Sequence, residues 1–431
     1  MDRRDFLKIC SLAGLGVASL GVPGTIRSAR AAGPKFWVFV NANGGWDPTM
    51  LCDPKGNEKN DEGFIVNNFG PEAIKTAGAI SYPEIGNNKP FFDRFKDICT
   101  VINGVDCETN GHDSGIRNAF SGRLNINTPA LPALLALALN PELPMSFITN
   151  GGYDDTDGII ASTRLGNAGD TLQALVHPNL VSINNQNFDD SPKYFETEAL
   201  KLVHEAQSQR LLALQEKQNL PRQQAAMSML YTSRLGMADM KKIRDEMATI
   251  DMVVKDFGKY GSGQGLARQA QVAIAAYKAG LSQSVNLSVG GFDTHSNHDQ
   301  NQQNALDALR SGVMALFDIA EAAKCADDLF VVVGSDFGRT PMYNDGNGKD
   351  HWSVGSMLLL SVDHIKGNRV IGGTDATFRY EKLDFDKLEV GGGSVLKPGH
   401  VHKWLRKFAG IDEHPIVRRY PINVKGEIDL G

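Results

Sequence analysis

The chain has 431 residues, of which 42% are hydrophobic and 22% charged. That composition belongs to a folded globular protein and excludes a disordered, collagen-like or disulfide-framework chain. Net charge is -6, but residues 1–31 hold five Arg/Lys and two Asp, leaving 39 basic against 48 acidic groups in the remainder. A body this acidic offers no phosphate-backbone-binding surface, so no nucleic-acid partner is expected.

The chain opens with Arg3-Arg4-Asp5-Phe6-Leu7-Lys8, then a Gly-rich apolar run from Ile9 to Val22, then Ala29-Arg30-Ala31. Charged region, short apolar region and A-x-A site follow one another in the order of an export signal. The segment resembles a twin-arginine signal, with Asp2 where that motif prefers Ser or Thr. The expected organisation is a signal over 1–31, cleaved near Ala31, and a single domain over 32–431. The implied partner is the twin-arginine translocation machinery, and the implied location is periplasmic or exported. That route carries folded proteins, often with a cofactor already bound. The signal's apolar run is too short and Gly-rich to span a bilayer, and Leu131–Leu139 is brief and bounded by Pro132 and Pro144. No stable membrane span is expected in the mature chain.

Strand-like runs fall at Phe36–Asn41, Ile98–Asn103, Met145–Thr149, Val285–Val289, Leu329–Val333 and Met357–Ser361. They are nearly continuous in apolar character, which suits strands covered on both faces of a parallel sheet. Helices are expected at Gln264–Leu281, Gln303–Ala323 and His400–Phe408. Together these predict an α/β fold with a mainly parallel central sheet flanked by helices. From 192 to 254 strand signals vanish, and Pro221 separates two helical stretches that read as an inserted helical hairpin. Its Met240, Ile243, Met247 and Ile250 recur at helical spacing and read as packing. The run Gly261–Gly265 follows a helix rather than a strand and reads as a connector, not a dinucleotide loop. The body keeps Cys52, Cys99, Cys107 and Cys325, with no C-x-x-C pair, which disfavours an iron–sulfur or dithiol redox site. Cys52 and Cys107 each follow a candidate strand, and a bridge between them is the preferred pairing.

Motifs gather at strand ends. Asn43-Gly44-Gly45-Trp46-Asp47 follows the first strand, and Asp106 to Ser114, with Thr109, His112 and Asp113, follows the second. Gly290-Gly291-Phe292-Asp293-Thr294-His295-Ser296-Asn297-His298 and Ser335-Asp336-Phe337-Gly338-Arg339-Thr340-Pro341 follow two more, and Gly348-Lys349-Asp350-His351-Trp352 precedes another. Ligands in open α/β sheets bind beyond the carboxyl ends of strands. Several carboxylates held together repel unless a cation neutralises them, and Asp with His suits zinc or manganese, with calcium as a further candidate. Each Asp taken alone could instead cap a helix. Residues sharing an ion at about 2.1 Å should lie roughly 3–4 Å apart. His400 and His402 stand at i and i+2 on a helix and face apart.

These ordered motifs resemble an exported bacterial family of unknown function within the alkaline phosphatase and sulfatase clan. The early Gly44-Gly45-Trp46-Asp47 loop and the closing Gly399–Asp412 helix fit its layout, and the resemblance covers essentially the whole mature chain. It implies an alkaline phosphatase-like sheet with two metal ions over the strand ends, acting on phosphate or sulfate esters. Asp47 and Asp336 are implied ligands of one metal; Asp293 with His295 or His298, and His351, are implied ligands of the other. The nucleophile is implied on the loop bearing Thr109, His112 and Ser114. Phe337 stands where well-studied phosphatases of the clan carry a His, and neither His295 nor His298 has their spacing from Asp293. The expected activity is metal-dependent hydrolysis of an anionic ester, with Arg339 gripping the anionic group. The alternative is a non-catalytic periplasmic binding or assembly protein retaining the fold.

Overall fold

The computed structural model describes residues 34–164, 192–218 and 257–431, with a few isolated positions between them. The signal, Pro221 and the Met240–Ile250 stripe lie outside the described residues. The first half of the chain provides β1 (Phe36–Ala42), the hairpin β2 (Ile74–Ala77) and β3 (Ile80–Pro83), α1 (Asn88–Phe95) and β4 (Cys99–Asp106). It continues with α2 (His112–Ser121), α3 (Leu131–Leu139), β5 (Phe147–Thr149), β6 (Ser162–Arg164) and α4 (Thr197–Glu216). Then come α5 (Gln264–Lys278), β7 (Ser284–Val289), α6 (His298–Ala322), β8 (Leu329–Ser335), β9 (Gly338–Arg339) and β10 (His351–Trp352). After these stand β11 (Val354–Leu360), β12 (Arg369–Ile371) and α7 (Pro398–Phe408).

Eight strands form one sheet in the order β12-β4-β11-β8-β1-β7-β5-β6. Only β11 runs against its neighbours, pairing antiparallel with β4 and β8. Every residue of β1, β8 and β11 is buried, which accounts for their unbroken apolar character. Alternation assigns the faces: Phe36, Val38 and Val40 pack with residues of α1, α5 and α6. Trp37 and Phe39 point the other way, into residues of α2, α3 and α7. Each such buried side chain contributes about 1.5–3 kcal/mol of hydrophobic stabilisation.

Three helices were not expected: α1, α2 and α3. The run Leu131–Leu139 is α3, a buried helix opened by Pro132 in its first turn, where a missing N–H costs nothing. Polar α2 begins at His112 and stops at Gly122, whose φ of 74° closes it in the left-handed region. Residues 257–263 make a tight 3-10 turn leading into α5, in keeping with a connector. The expected Cys52–Cys107 bridge is corrected: all four body cysteines are free and buried. Cys52 Sγ donates to Asn103 Oδ1 at 3.5 Å, and burial pushes the Cys99 thiol up to about 12. Among the described residues no helix is long and apolar enough to cross a membrane.

Candidate metal centre

The parallel strands β1, β4, β7 and β8 release their loops at one edge of the sheet. β11 runs the opposite way, so its leading residues arrive at that same edge, with Val354 opposite Asp106 of β4. His351, three residues earlier, therefore meets loops from distant parts of the chain. Close approach requires special backbone: Gly44 sits at φ 117°, and a Cβ there would lie 2.6 Å from the Asp293 nitrogen. Only glycine fits.

Asp293 Oδ1 is the focus. It lies 3.0 Å from His295 Nε2, 3.3 Å from His351 Nε2 and 3.6 Å from His112 Nε2. The His295 and His351 Nε2 atoms are 3.0 Å from one another. Each ring is held from behind: His112 Nδ1 by Asp336 Oδ2 at 2.7 Å, His295 Nδ1 by Asp350 Oδ1 at 2.8 Å, and His351 Nδ1 by the Asn110 carbonyl at 2.8 Å. A carbonyl only accepts, so His351 Nδ1 must carry the proton. The bond from His295 holds the Asp350 carboxyl below its usual range, so His295 Nδ1 donates too. In the neutral rings both Nε2 atoms then present lone pairs. Lone pairs facing one another beside a carboxylate oxygen repel without a cation between them. His nitrogens oriented by acceptors on their far side, with the ligand atoms of His112, Asp293 and His351 all within 4.8 Å of one another, fit a divalent ion.

The surroundings stiffen this arrangement. The Phe337 ring lies 4.9 Å from the His112 ring and 4.6 Å from the His351 ring, centroid to centroid. The phenyl group thus supports two imidazoles. Asp336 is nearly buried, its Oδ2 also accepts from Gly44 N at 3.2 Å, and its Oδ1 has no partner among the described residues. Burial raises its carboxyl above the usual range. Burial would raise Asp293 as well, but Arg339 outweighs it and holds that carboxyl below its usual value.

Two expected metal ligands stand in a different cluster. Asp47 is fully buried and caps the short turn Pro48–Met50, its Oδ1 accepting from Thr49 N at 2.9 Å and Thr49 Oγ1 at 2.7 Å. Its Oδ2 lies 2.9 Å from His298 Nε2 and 2.7 Å from Lys349 Nζ. Burial would raise the Asp47 carboxyl, but the Lys349 ammonium and His298 together hold it far below the usual range. Burial lowers His298, whose Nδ1 meets Thr294 Oγ1 at 2.7 Å. A second metal does not fit here, because a lysine fills the place of the ion. Asp47 and His298, expected as metal ligands, stand here beside Lys349. Asp336, also an expected ligand, stands one bond behind His112. His112 itself, expected near the nucleophile, joins the cluster.

Arg339 was expected to grip an anionic group. It is fully buried, its Nε donates to Gly45 O at 2.8 Å, its Nη1 to Lys349 O at 3.1 Å, and its Nη2 to Gly44 O and, at 2.7 Å, to Asp293 Oδ1. No free fork remains for a substrate anion. Thr109 and Ser114 bond to each other, Oγ1 to Oγ, at 2.6 Å, and Ser114 Oγ donates to Gly111 O at 3.0 Å. Thr109 therefore donates to Ser114. Sequence reasoning placed Lys349 and Asp350 in a strand-end motif but gave neither a role in the site, and nothing local marks either of them as more than a charged loop residue.

The fold and the cluster define an α/β protein whose His112, Asp293 and His351 could hold a cation at its strand ends, with His295 Nε2 beside Asp293 Oδ1. The chain belongs to the family described as "Protein of unknown function (DUF1501)", which matches residues 35–389. No curated protein matches its sequence. Among solved structures it is similar to the alkaline phosphatase from the Antarctic bacterium TAB5, at 11% identity and a TM-score of 0.36, covering 89% of this chain and 100% of that one. It is also similar to PsFucS1 sulfatase from Pseudoalteromonas sp., at 9% identity and a TM-score of 0.37, covering 96% of this chain and 74% of that one.

Proposed function

We propose that this protein is an exported, metal-dependent hydrolase of phosphate or sulfate esters. The observation that carries the reading is the convergence of three Nε2 atoms on Asp293 Oδ1, each ring anchored through Nδ1. His112, His295, His351 and Asp293 would hold the ion. Imidazole nitrogens favour zinc, the Asp293 carboxylate keeps manganese as the second candidate, and the nitrogen-rich set disfavours calcium, which prefers oxygen. A bound divalent ion supplies Lewis acidity toward an ester oxygen and toward the attacking hydroxyl or water. Thr109 and Ser114 are the hydroxyls on the His112 segment, and the Thr109 O–H is the one passed to a side chain rather than to the backbone. Either serves as the candidate nucleophile. The residues over 1–31 would direct the chain through the twin-arginine machinery, with cleavage near Ala31 releasing the body to the periplasm.

Metal content of the purified protein, with a panel of aryl phosphate and sulfate esters, tests this reading. Wild type should contain zinc or manganese and turn over one ester class, whereas His351→Ala should lose both. Metal-free wild type, or metal without turnover of any ester, would reject the hydrolase. One observation favours the non-catalytic alternative: the guanidinium of Arg339 is spent on carbonyls and Asp293, so the cluster lacks a free arginine for an anionic group. In that case the metal survives and no ester is cleaved.

A further inference from the structure

Lys349 sits two residues before His351 but turns inward. It is fully buried, with Nζ 2.7 Å from Asp47 Oδ2 and 3.5 Å from Thr49 Oγ1, and 5.1 Å from the centre of the Tyr343 ring. The Tyr343 hydroxyl donates to Asp299 Oδ1 at 2.6 Å, and Asn68 Nδ2 donates to Asp299 Oδ2 at 2.8 Å, so this wall is itself braced. A carboxylate oxygen, an imidazole nitrogen and a hydroxyl converge here, which is the kind of donor set a divalent ion takes. An ammonium group occupies the centre instead. It neutralises Asp47 with the single charge required, and its Nζ, within reach of both Asp47 Oδ2 and Thr49 Oγ1, takes up the space between the donors. Placing a divalent ion beside Lys349 in a fully buried pocket would leave excess positive charge away from water, which is costly.

We infer that Lys349 is a built-in cation standing in place of a second metal ion, so that each chain binds one divalent ion, at the His112, His295, His351 and Asp293 cluster. The inference rests on the metal reading of that cluster. It also gives Lys349 a positioning role, since its carbonyl accepts from Arg339 Nη1 at 3.1 Å. The buried ammonium and that bond fix both ends of the residue that leads into Asp350 and His351.

The test is stoichiometry on the full chain, stripped with a chelator and titrated with zinc or manganese by calorimetry, with elemental analysis of the refilled protein. Wild type should take up one equivalent, lost in His351→Ala and retained in His298→Asn. Lys349→Ala should take up a second equivalent, and Lys349→Ala combined with His298→Ala should return to one. Two tight equivalents in wild type, falling to one in His298→Asn, would overturn the inference while leaving the metal reading intact. No uptake in wild type would overturn both. Should Lys349→Ala fail to fold, the wild-type and His298→Asn counts decide the matter alone.

Discussion

Asp350 serves the cluster from outside it. Its Oδ1 accepts from His295 Nδ1 at 2.8 Å and from Asn344 Nδ2 at 3.2 Å, and it is exposed, so its loss should not disturb the core. Removing the acceptor frees the His295 ring to rotate or change tautomer, and such partners typically govern about 10–100-fold in metal affinity. Asp350→Ala should therefore weaken zinc binding by roughly that factor in a calorimetric titration, with unchanged urea stability of the metal-free protein; equal affinity would reject the tautomer argument. A second residue acts on stability rather than on metal. His402 is fully buried, donates from Nε2 to Ala119 O at 2.8 Å, and its Nδ1 has no partner among the described residues. Burial lowers it to about 4, below the value near 6.5 expected when unfolded. The unfolded chain thus binds the extra proton first, and stability drops as pH falls from about 6.5 towards 4. Between pH 7 and 5 this residue should cost about 2 kcal/mol. Urea unfolding of chelated protein at both pH values checks it, with His402→Gln expected to flatten the difference.

At the scale of elements, α2 carries His112 and must press against the end of β8. Gly115, three residues after His112, makes that possible: a Cβ there would lie 2.6 Å from Asp336 O and 2.8 Å from Phe337 Cδ1. Alanine normally stabilises a helix interior by about 1 kcal/mol over glycine. Here the clash falls on a backbone carbonyl between two buried elements, and overpacking of that kind costs about 1–3 kcal/mol. Gly115→Ala should be net destabilising in urea unfolding and should weaken zinc binding, because pushing α2 outward draws His112 away from Asp336. A stabilised variant with unaltered zinc affinity would show that α2 has room to move. The need for this glycine explains why α2 was hard to foresee: a polar stretch with glycine inside it reads as a loop, and tertiary contact overrides the weak local propensity.

Across the whole molecule, the cluster joins segments that the chain keeps far apart. His112 follows β4, Asp293 and His295 follow β7, and His351 precedes β11. An ion bound to all three should act as a cross-link that exists only in the folded state. Ligand linkage then predicts stabilisation of about 4 kcal/mol when free zinc is about 1,000-fold above its dissociation constant. Thermal unfolding with and without excess zinc should show a rise in wild type and none in His351→Ala. Hydrogen exchange should place the added protection on the loops after β4 and β7 and ahead of β11. Protection spread evenly over the sheet would argue against a localised cross-link.

The sequence by itself determined the class of fold and the neighbourhood of the site. Burial on both faces demands unbroken apolar strands, so β1, β8 and β11 announce themselves, and acidic and histidine residues just beyond strands must come to an edge of the sheet. It also grouped Asp293, His295 or His298, and His351 at one metal, but set His112 with the nucleophile instead. What only the tertiary structure decided is which charges meet. Asp47 and Asp336 look alike in sequence, each an aspartate following a buried strand, yet one is matched by Lys349 from 302 positions away and the other holds a histidine ring. Lys349 faces inward while its neighbour Asp350 stays exposed. No local rule distinguishes them, because the choice between a metal ion and an ammonium group as counter-charge is made by packing between remote segments, where the penalty for burying an unpaired carboxylate selects the partner.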